Sequence, residues 1–449
     1  MQSAVPELIA ALCPDHAEVE IYNEKEADVP LDRHWDLVFF SYLHSYYEHT
    51  KVLSMLFRQR GMKTVAGGRH TTHFPADCLQ YFDAIVIGDP ETNVPALVKD
   101  FERGEMKREY GLPAATMTEI KPYRYDLIDF SHNRMRLPGI EASRGCPFTC
   151  NFCVLTGHES YRYRPIKNVI DEIKFKMVWN SHYFGLMRDS FIFLDNNLGG
   201  SRRYLRELCE ALIPLKKIWG CALTFNVLRD AETVKLMVAA GCRYVYTGLE
   251  SLNPESLKAM HKGQNKLKEV DVIIRRCFSD GILLSFGLIV GADGDTNEYL
   301  ERLPGYLADL QHFSITFLGI MCPYPETTLF RALKDDGRLL PGTMSRDYDC
   351  YTVCHVPKFL HPSEVAEHYQ RLCLELASLP KVASHYWTKL MSSNQPRYKL
   401  TIIGSGREIL NLRNNLQNPQ RRYIAGLDTL EQWDREMMQR LQIRPQYLS

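Results

Sequence analysis

Short apolar runs alternate with helix-like segments along most of this chain. In the N-terminal part the apolar runs occupy residues 18–22, 36–40, 63–66 and 83–87, and residues 5–12 have a helix-like pattern. Apolar runs separated by helices are typical of parallel strands that are covered on both faces. The sequence therefore predicts an α/β fold that begins with a parallel sheet.

Small and polar residues follow each of these runs. Ser41 ends the second run, Gly67 and Gly68 with His70 follow the third, and Glu91 lies after the fourth. Open α/β sheets bind ligands at the carboxyl ends of their strands. We therefore expect this edge to hold a nucleotide-like ligand or the tail of a cofactor.

A second set of strand-like and helix-like segments follows a proline-containing linker. The six predicted strands cover residues 137–142, 191–194, 222–226, 244–248, 283–290 and 314–320. Six such strand–helix units predict a partial barrel. The resulting division is an N-terminal domain (1–110), a linker (111–136), a partial (β/α)6 barrel (137–340) and a helix-rich C-terminal region (341–449).

Three cysteines are crowded into the loop after the first predicted barrel strand. Cys146, Cys150 and Cys153 are spaced by four and three residues, and three thiolates can bind three irons of a [4Fe-4S] cubane. The fourth iron would then have an open coordination position for a substrate. A zinc site completed by His158 and an unrelated group of thiols are the alternatives, but zinc ligands usually form two separate pairs.

Composition limits the classes of function and location. The 54 basic and 54 acidic residues balance, so nucleic acid is not favoured as a substrate. No apolar stretch approaches the ~20 residues of a membrane span, and the N-terminus has no basic region followed by an apolar core. The thirteen cysteines, an odd number, favour reduced thiols. We expect a cytoplasmic protein without a transmembrane segment.

The cysteine loop, Arg-Gly-Cys-Pro-Phe-Thr-Cys-Asn-Phe-Cys at residues 144–153, resembles the signature of the radical S-adenosylmethionine (SAM) superfamily. Further matching segments are Tyr-Arg-Pro (163–165), Leu-Asp-Asn-Asn (194–197), Gly-Leu-Glu-Ser (248–251) and Pro-Tyr-Pro (323–325). With these, residues 17–375 resemble the subgroup whose N-terminal, Rossmann-like domain binds cobalamin. One departure is Glu326, where the family usually has glycine.

The resemblance implies roles for several strand-end residues. Asp195 and Asn196 would contact the amino group of SAM, and Glu250 would accept hydrogen bonds from its ribose hydroxyls. Ile289 and Gly291 would form the platform for the adenine. Strand ends at the carboxyl face of a barrel are where such groups belong. The cysteine triplet would be the iron ligands.

For the N-terminal domain, the resemblance implies that Ser41, Gly67, Gly68, His70 and Glu91 surround a corrin and its nucleotide tail. The loops have no Asp-x-His-x-x-Gly motif, so a histidine lower ligand is not expected. Relatives begin with an additional apolar strand at the centre of the sheet, which is not seen before the helix-like residues 5–12. The domain therefore either binds cobalamin or is a remnant that does not.

The resemblance implies two possible functions, and the zinc alternative adds a third. The first is cobalamin-dependent methylation of an unactivated carbon in a lipid, tetrapyrrole or natural product by a radical SAM enzyme, with a flavodoxin or ferredoxin as electron donor. The second keeps the 5'-deoxyadenosyl radical but uses it for cyclisation or rearrangement. The third is a zinc-stabilised binding protein without catalytic activity.

Overall fold

The computed structural model describes residues 4–24, 29–114, 116–118, 120–128, 137–156, 160–179, 188–310, 312–376 and 424–425. The chain divides into two compact units. The first comprises Met1–Gly139 and Lys167–Asp189, and the second comprises Ile140–Ile166 and Ser190–Ser449. Of the predicted helix-rich C-terminal region, residues 377–423 and 426–449 lie outside the described residues.

The first unit contains a four-stranded sheet with the strand order β1-β2-β3-β4, all paired in parallel. Its strands are β1 (Leu37–Ser41), β2 (Lys63–Gly67), β3 (Ala84–Val86) and β4 (Glu109–Tyr110). The helices of this unit are α1 (Val5–Leu12), α2 (Tyr47–Gln59), α3 (Arg69–His73), α4 (Pro75–Cys78) and α5 (Pro90–Glu102), with most of α6 (Ile166–Trp179).

Alternation along the strands of this sheet divides the apolar side chains between two cores. Val65 packs with Leu8 of α1 and Leu97 of α5 on one face. Its neighbour Ala66 packs with Tyr47 and Phe82 on the other. Because successive side chains of a strand point to opposite faces, one short apolar strand supplies both cores. This explains why Val65 and Ala66, adjacent in β2, are both apolar and both buried.

The strand predicted at residues 18–22 is wrong, because this segment is irregular in the structure. A strand requires a neighbour for its backbone hydrogen bonds, and β1 is the edge of the described sheet. Side chains hold the segment instead: the Arg33 guanidinium donates to the Glu20 carboxylate over 2.9 Å. The short β4 was missed, although Tyr110 O accepts the Ile87 N–H over 2.8 Å.

The second unit contains a six-stranded sheet with the order β12-β11-β10-β9-β8-β5, and its pairs from β8 to β12 are parallel. Its strands are β5 (Gly139–Ile140), β8 (Ser190–Phe193), β9 (Ile218–Ala222), β10 (Cys242–Glu250), β11 (Leu283–Val290) and β12 (Phe313–Ile320). A small antiparallel pair, β6 (Ser143–Arg144) and β7 (Arg162–Tyr163), follows β5. The helices are α7 (Arg202–Leu212), α8 (Ala231–Ala239), α9 (Pro254–Ala259), α10 (Val270–Asp280), α11 (Asn297–Asp309), α12 (Thr328–Asp335) and α13 (Pro362–Leu376).

The predicted strands of this sheet are confirmed except for one. The strand predicted at 222–226 lies earlier, at Ile218–Ala222, and Phe225–Arg229 is a 3-10 helix. The position of β9 follows from its partner, since Trp219 pairs with Cys242 of β10 and donates its indole N–H to Ala240 O over 2.8 Å. Phe225 is fully buried outside the strand, so the apolar pattern alone misplaced it.

Candidate active site

The three cysteines of the triplet lie in one tight loop at the carboxyl side of β5. The loop is closed by its own hydrogen bonds: Cys150 O accepts the Cys153 N–H over 3.1 Å and the Thr156 hydroxyl over 2.7 Å. Gly145, just before Cys146, has φ +86°, a backbone conformation that glycine adopts without steric cost. The sequence therefore turns sharply where the thiols begin.

Each sulfur of the triplet receives one N–H donor. The Asn197 side-chain amide lies 3.6 Å from Cys146 Sγ, and the Gln264 amide lies 3.6 Å from Cys150 Sγ. The Leu155 backbone N–H bonds Cys153. Burial raises the pKa of the Cys150 and Cys153 thiols, so deprotonation needs a partner such as iron. Three sulfurs surrounded by donors fit a thiolate-bound cluster, whose properties depend on such hydrogen bonds.

The orientation of the Asn197 amide is fixed by a second contact. Asn197 is fully buried, and its Oδ1 accepts the Thr224 backbone N–H over 3.2 Å. Because Asn197 Oδ1 accepts this backbone hydrogen bond, Asn197 Nδ2 is the amide atom that faces Cys146 Sγ. Its neighbour Asn196, predicted as a contact of the SAM amino group, is exposed in the structure, and that contact stays a prediction. No local signal distinguishes the two asparagines, because only the fold brings one of them to Cys146.

Asp195 ties the end of β8 to the start of the cysteine loop. Its carboxylate accepts hydrogen bonds from the Ala142 N–H (3.1 Å), the Ser143 hydroxyl (2.5 Å) and the Ser143 N–H. Burial outweighs these bonds and raises the pKa of Asp195 to about 7. The predicted contact of Asp195 with the SAM amino group stays a prediction, and the visible role of this side chain is to brace the loop.

Glu250 forms a buried ion pair at the end of β10. Its Oε1 lies 2.5 Å from Lys262 Nζ, and both residues are less than 10% exposed. Glu250 has φ +65°, a strained conformation of the kind that clusters at functional sites. Burial alone would lower the pKa of Lys262, but the charges of Glu250 and Cys150 raise it. Glu250, predicted as the ribose contact, is therefore close to the cysteine loop.

An apolar cluster joins the predicted adenine platform to the same loop. Ile289 and Phe152 are both half-buried and pack against Met260 and Met321. Gly291, at the end of β11, has φ +83°, and a Cβ there would lie 2.9 Å from Val365 Cγ1. Two observations, the positive φ and the close neighbour, make glycine necessary at this position.

Within the first unit, the structure brings together Ser41 and Gly67, which pair at the carboxyl ends of β1 and β2, and the adjoining Gly68. His70, predicted to help surround a corrin, lies in α3 and is 2% exposed. Its Nδ1 lies 2.7 Å from His44 Nδ1, and its ring centroid lies 4.1 Å from that of Tyr47. Burial lowers the pKa of His70 to about 3.

Glu91 lies in the first turn of α5 and is 8% exposed. An acidic residue in the first turn is favourable to the helix whether or not a ligand is bound. Its predicted contact with a corrin therefore stays a prediction. Among the helices described, none has the length and apolar character needed to cross a membrane.

Comparisons with known proteins agree with this geometry. Residues 140–304 match the family profile of the radical SAM superfamily. Bacteriochlorophyllide d C-12(1)-methyltransferase of Chlorobaculum tepidum is 26% identical over 377 residues, which are 82% of this chain and 81% of the relative. Hopanoid C-2 methylase of Rhodopseudomonas palustris is 27% identical over 74% of this chain and 64% of its own length.

The fold is similar to that of solved enzymes. The radical SAM methyltransferase TsrM of Kitasatospora setae, with cobalamin and a [4Fe-4S] cluster bound, has a TM-score of 0.64 at 16% identity, covering 92% of this chain and 96% of TsrM. The cobalamin-dependent radical SAM enzyme OxsB has a TM-score of 0.59 at 13% identity, covering 92% of this chain and 68% of OxsB. The chain therefore contains a segment, residues 140–304, that matches the radical SAM superfamily, is similar over most of its length to a bacteriochlorophyllide methyltransferase, and has an α/β fold with parallel sheets similar to that of TsrM.

Proposed function

We propose that this protein holds a [4Fe-4S] cluster on Cys146, Cys150 and Cys153, cleaves SAM reductively, and methylates an unactivated carbon with the help of cobalamin. The observation that carries the proposal is the loop in which each of three thiols has its own N–H donor. When bound, the cluster supplies the electron that splits the sulfonium of SAM into methionine and a 5'-deoxyadenosyl radical. The hard chemistry belongs to the cofactors.

The residues of the chain bind and orient SAM beside the cluster. The Glu250 carboxylate can accept hydrogen bonds from the ribose hydroxyls, and Ile289 offers an apolar surface for the adenine. Asn196 is exposed at the strand end, where an amide oxygen suits an ammonium group. Asp195 holds the start of the cysteine loop through its hydrogen bonds with Ala142 and Ser143. Met260 and Met321, buried against Ile289 and Phe152, would form an apolar wall that keeps water from the reacting groups.

Cobalamin is assigned to the N-terminal domain, 1–110, as a Rossmann-like cobalamin-binding domain, followed by a partial (β/α)6 barrel at 137–340. The support is the similarity of fold to TsrM with cobalamin bound. The edge formed by Ser41, Gly67 and Gly68 has no bulky side chain, so a cofactor can approach the backbone there. His70 and Glu91 complete the proposed surroundings of the cofactor.

The substrate class is proposed from the relatives. Their names include a bacteriochlorophyllide, which is a tetrapyrrole, and a hopanoid, which is a lipid, and TsrM was solved with tryptophan. A small apolar molecule or lipid with an unactivated carbon fits this range. A flavodoxin or ferredoxin in the cytoplasm would supply the electron.

Cyclisation is the second candidate, because one relative is the anaerobic magnesium-protoporphyrin IX monomethyl ester cyclase of Cereibacter sphaeroides. It is 29% identical over 354 residues, 70% of this chain and 55% of the relative. Under this alternative the radical rearranges the substrate and no methyl group is transferred.

Product analysis separates the two candidates. Protein purified without oxygen is analysed for corrinoid and then assayed with SAM, a reductant and tetrapyrrole or lipid candidates. A methyltransferase consumes two SAM and forms S-adenosylhomocysteine beside 5'-deoxyadenosine, whereas a cyclase forms only the second product or regenerates SAM. Bound corrinoid with both products supports methylation. Turnover without corrinoid or S-adenosylhomocysteine would refute it.

A further inference from the structure

A short segment after α9 connects the cysteine loop to the end of β10. We refer to residues 259–265 as the strap. Asn151 in the cysteine loop donates its backbone N–H to Met260 O (3.3 Å) and its side-chain amide to Ala259 O (2.8 Å). At the other end, the Asn265 amide donates to Gly248 O and Leu249 O over 3.0 and 2.9 Å. The strap is therefore held at both ends.

Two side chains of the strap lie beside the cysteine loop. The Gln264 amide donates to Cys150 Sγ over 3.6 Å. Lys262 is 6% exposed, and its ammonium nitrogen lies 5.8 Å from the centroid of the Phe152 ring, which belongs to the cysteine loop. The Glu250 carboxylate, 2.5 Å from Lys262 Nζ, is the counter-charge of this ammonium. The strap therefore places an amide donor at Cys150 and a buried ammonium beside the cysteine loop.

Such an environment changes the energy of a bound cluster in a definite direction. Reduction adds one negative charge to the cluster, and part of this charge resides on the thiolate sulfurs. N–H donors and a nearby ammonium stabilise the reduced form more than the oxidised form, and hydrogen bonds and net charge are known to set cluster potentials. The effect is strong here because Lys262 is buried, where charges are screened less than in water.

We propose that Lys262 and Gln264 raise the reduction potential of the cluster through Cys150, while Glu250 opposes them. The proposal rests on the cluster assigned above. The strap would then be a positioning element that changes the reduction potential of the cluster without providing a ligand to iron. Because Glu250 is also the proposed ribose contact, one residue would serve both SAM and the potential of the cluster.

The test is a potentiometric titration of the full-length, reconstituted protein without SAM, followed by the electron paramagnetic resonance (EPR) signal of the reduced cluster. Gln264→Met keeps a similar volume without a donor, and Lys262→Met removes the charge. Both are expected to shift the midpoint potential to more negative values, with the larger shift for Lys262→Met. Glu250→Gln is expected to shift it in the positive direction, since Lys262 then acts without a counter-charge.

Two controls belong to this series. Lys266→Met removes an exposed lysine just beyond the strap and should leave the potential unchanged, and Lys262→Arg should restore most of the wild-type value. Midpoints of Gln264→Met and Glu250→Gln equal to wild type would overturn the inference, even if Lys262→Met failed to assemble a cluster. A wild-type protein that binds no cluster would instead refute the proposed function itself.

Discussion

The Asn substitution of Asp195 gives the sharpest prediction for stability. The carboxyl group is 1% exposed, accepts hydrogen bonds from Ala142 and Ser143, and has its pKa raised by burial from 3.8 to about 7. The native state therefore keeps a proton that the unfolded chain releases at lower pH. Such a group contributes stability that is fully present below pH 3.8 and is lost as the pH rises to 7.

The size of this effect follows from the two pKa values. In the window between them the free energy of unfolding falls by about 1.4 kcal/mol per pH unit. From pH 5 to pH 8 the loss is about 2.5 kcal/mol, and it levels off above the pKa of about 7. The Asp195→Asn variant has no titrating group at this position. The difference in free energy of unfolding between wild type and variant therefore isolates the contribution of the Asp195 carboxyl group. In the variant, the N–H₂ group of the side-chain amide would lie opposite a backbone N–H donor, which cannot accept a hydrogen bond. This lowers the free energy of unfolding by about 1–3 kcal/mol at every pH.

The assay is urea unfolding of the metal-free protein at several pH values, followed by tryptophan fluorescence, to which the buried Trp219 of β9 contributes. We expect the stability of wild type relative to Asp195→Asn to decline from pH 5 to pH 7 and then stay constant. A difference that does not change with pH, or one that grows as the pH rises, would refute the reasoning.

The other predictions concern single sites elsewhere in the chain. Glu172→Gln leaves the Lys176 ammonium, 2.7 Å from the Glu172 carboxylate in the native protein, buried without its counter-charge, and should cost about 3 kcal/mol in urea unfolding. The matched control is Glu207→Gln, which removes the carboxylate of the exposed Arg203–Glu207 ion pair and should change the free energy of unfolding by no more than about 0.5 kcal/mol. Equal losses of stability in the two variants would contradict the argument. Gly291→Ala combines a positive φ with the close Val365 side chain and should cost about 1–3 kcal/mol. By contrast, Gly305→Ala, in α11 with open space around it, should stabilise the protein by about 0.5–1 kcal/mol; a lower thermal midpoint for Gly305→Ala would count against this.

Features with a local cause were predictable from the sequence. Strand β11 was placed correctly because its buried apolar run is bounded by turn residues. Asparagine favours helix N-termini for an equally local reason, and the Asn253 side chain caps α9 by accepting the Glu255 N–H over 3.0 Å. The cysteine spacing is likewise a local pattern. The predictions that failed were those that depend on contacts with residues distant in sequence. The strand predicted at 18–22 is an example, because this segment has no neighbouring strand in the described sheet.

The surroundings of the sulfurs could not be predicted for the same reason. Asn197 and Gln264 are 51 and 114 residues from the cysteines that they contact. Their sequence contexts, an asparagine pair after a strand and a polar turn after a helix, have many structural uses. Only the parallel order of the sheet brings these side chains to one edge. The residues proposed to bind iron are thus visible in the sequence, whereas those proposed to tune the cluster are visible only in the fold.

The most direct measurement of the central claim is the metal content of the protein prepared without oxygen. After reconstitution with iron and sulfide, we expect about four irons per chain and, on reduction, the EPR signal of a [4Fe-4S] cluster. Alanine at Cys146, Cys150 or Cys153 should abolish the signal and the formation of 5'-deoxyadenosine, while Cys13→Ala, a partly exposed cysteine outside the loop, should preserve both. Zinc in place of iron, or an intact cluster in a variant lacking one of the three thiols, would contradict the account.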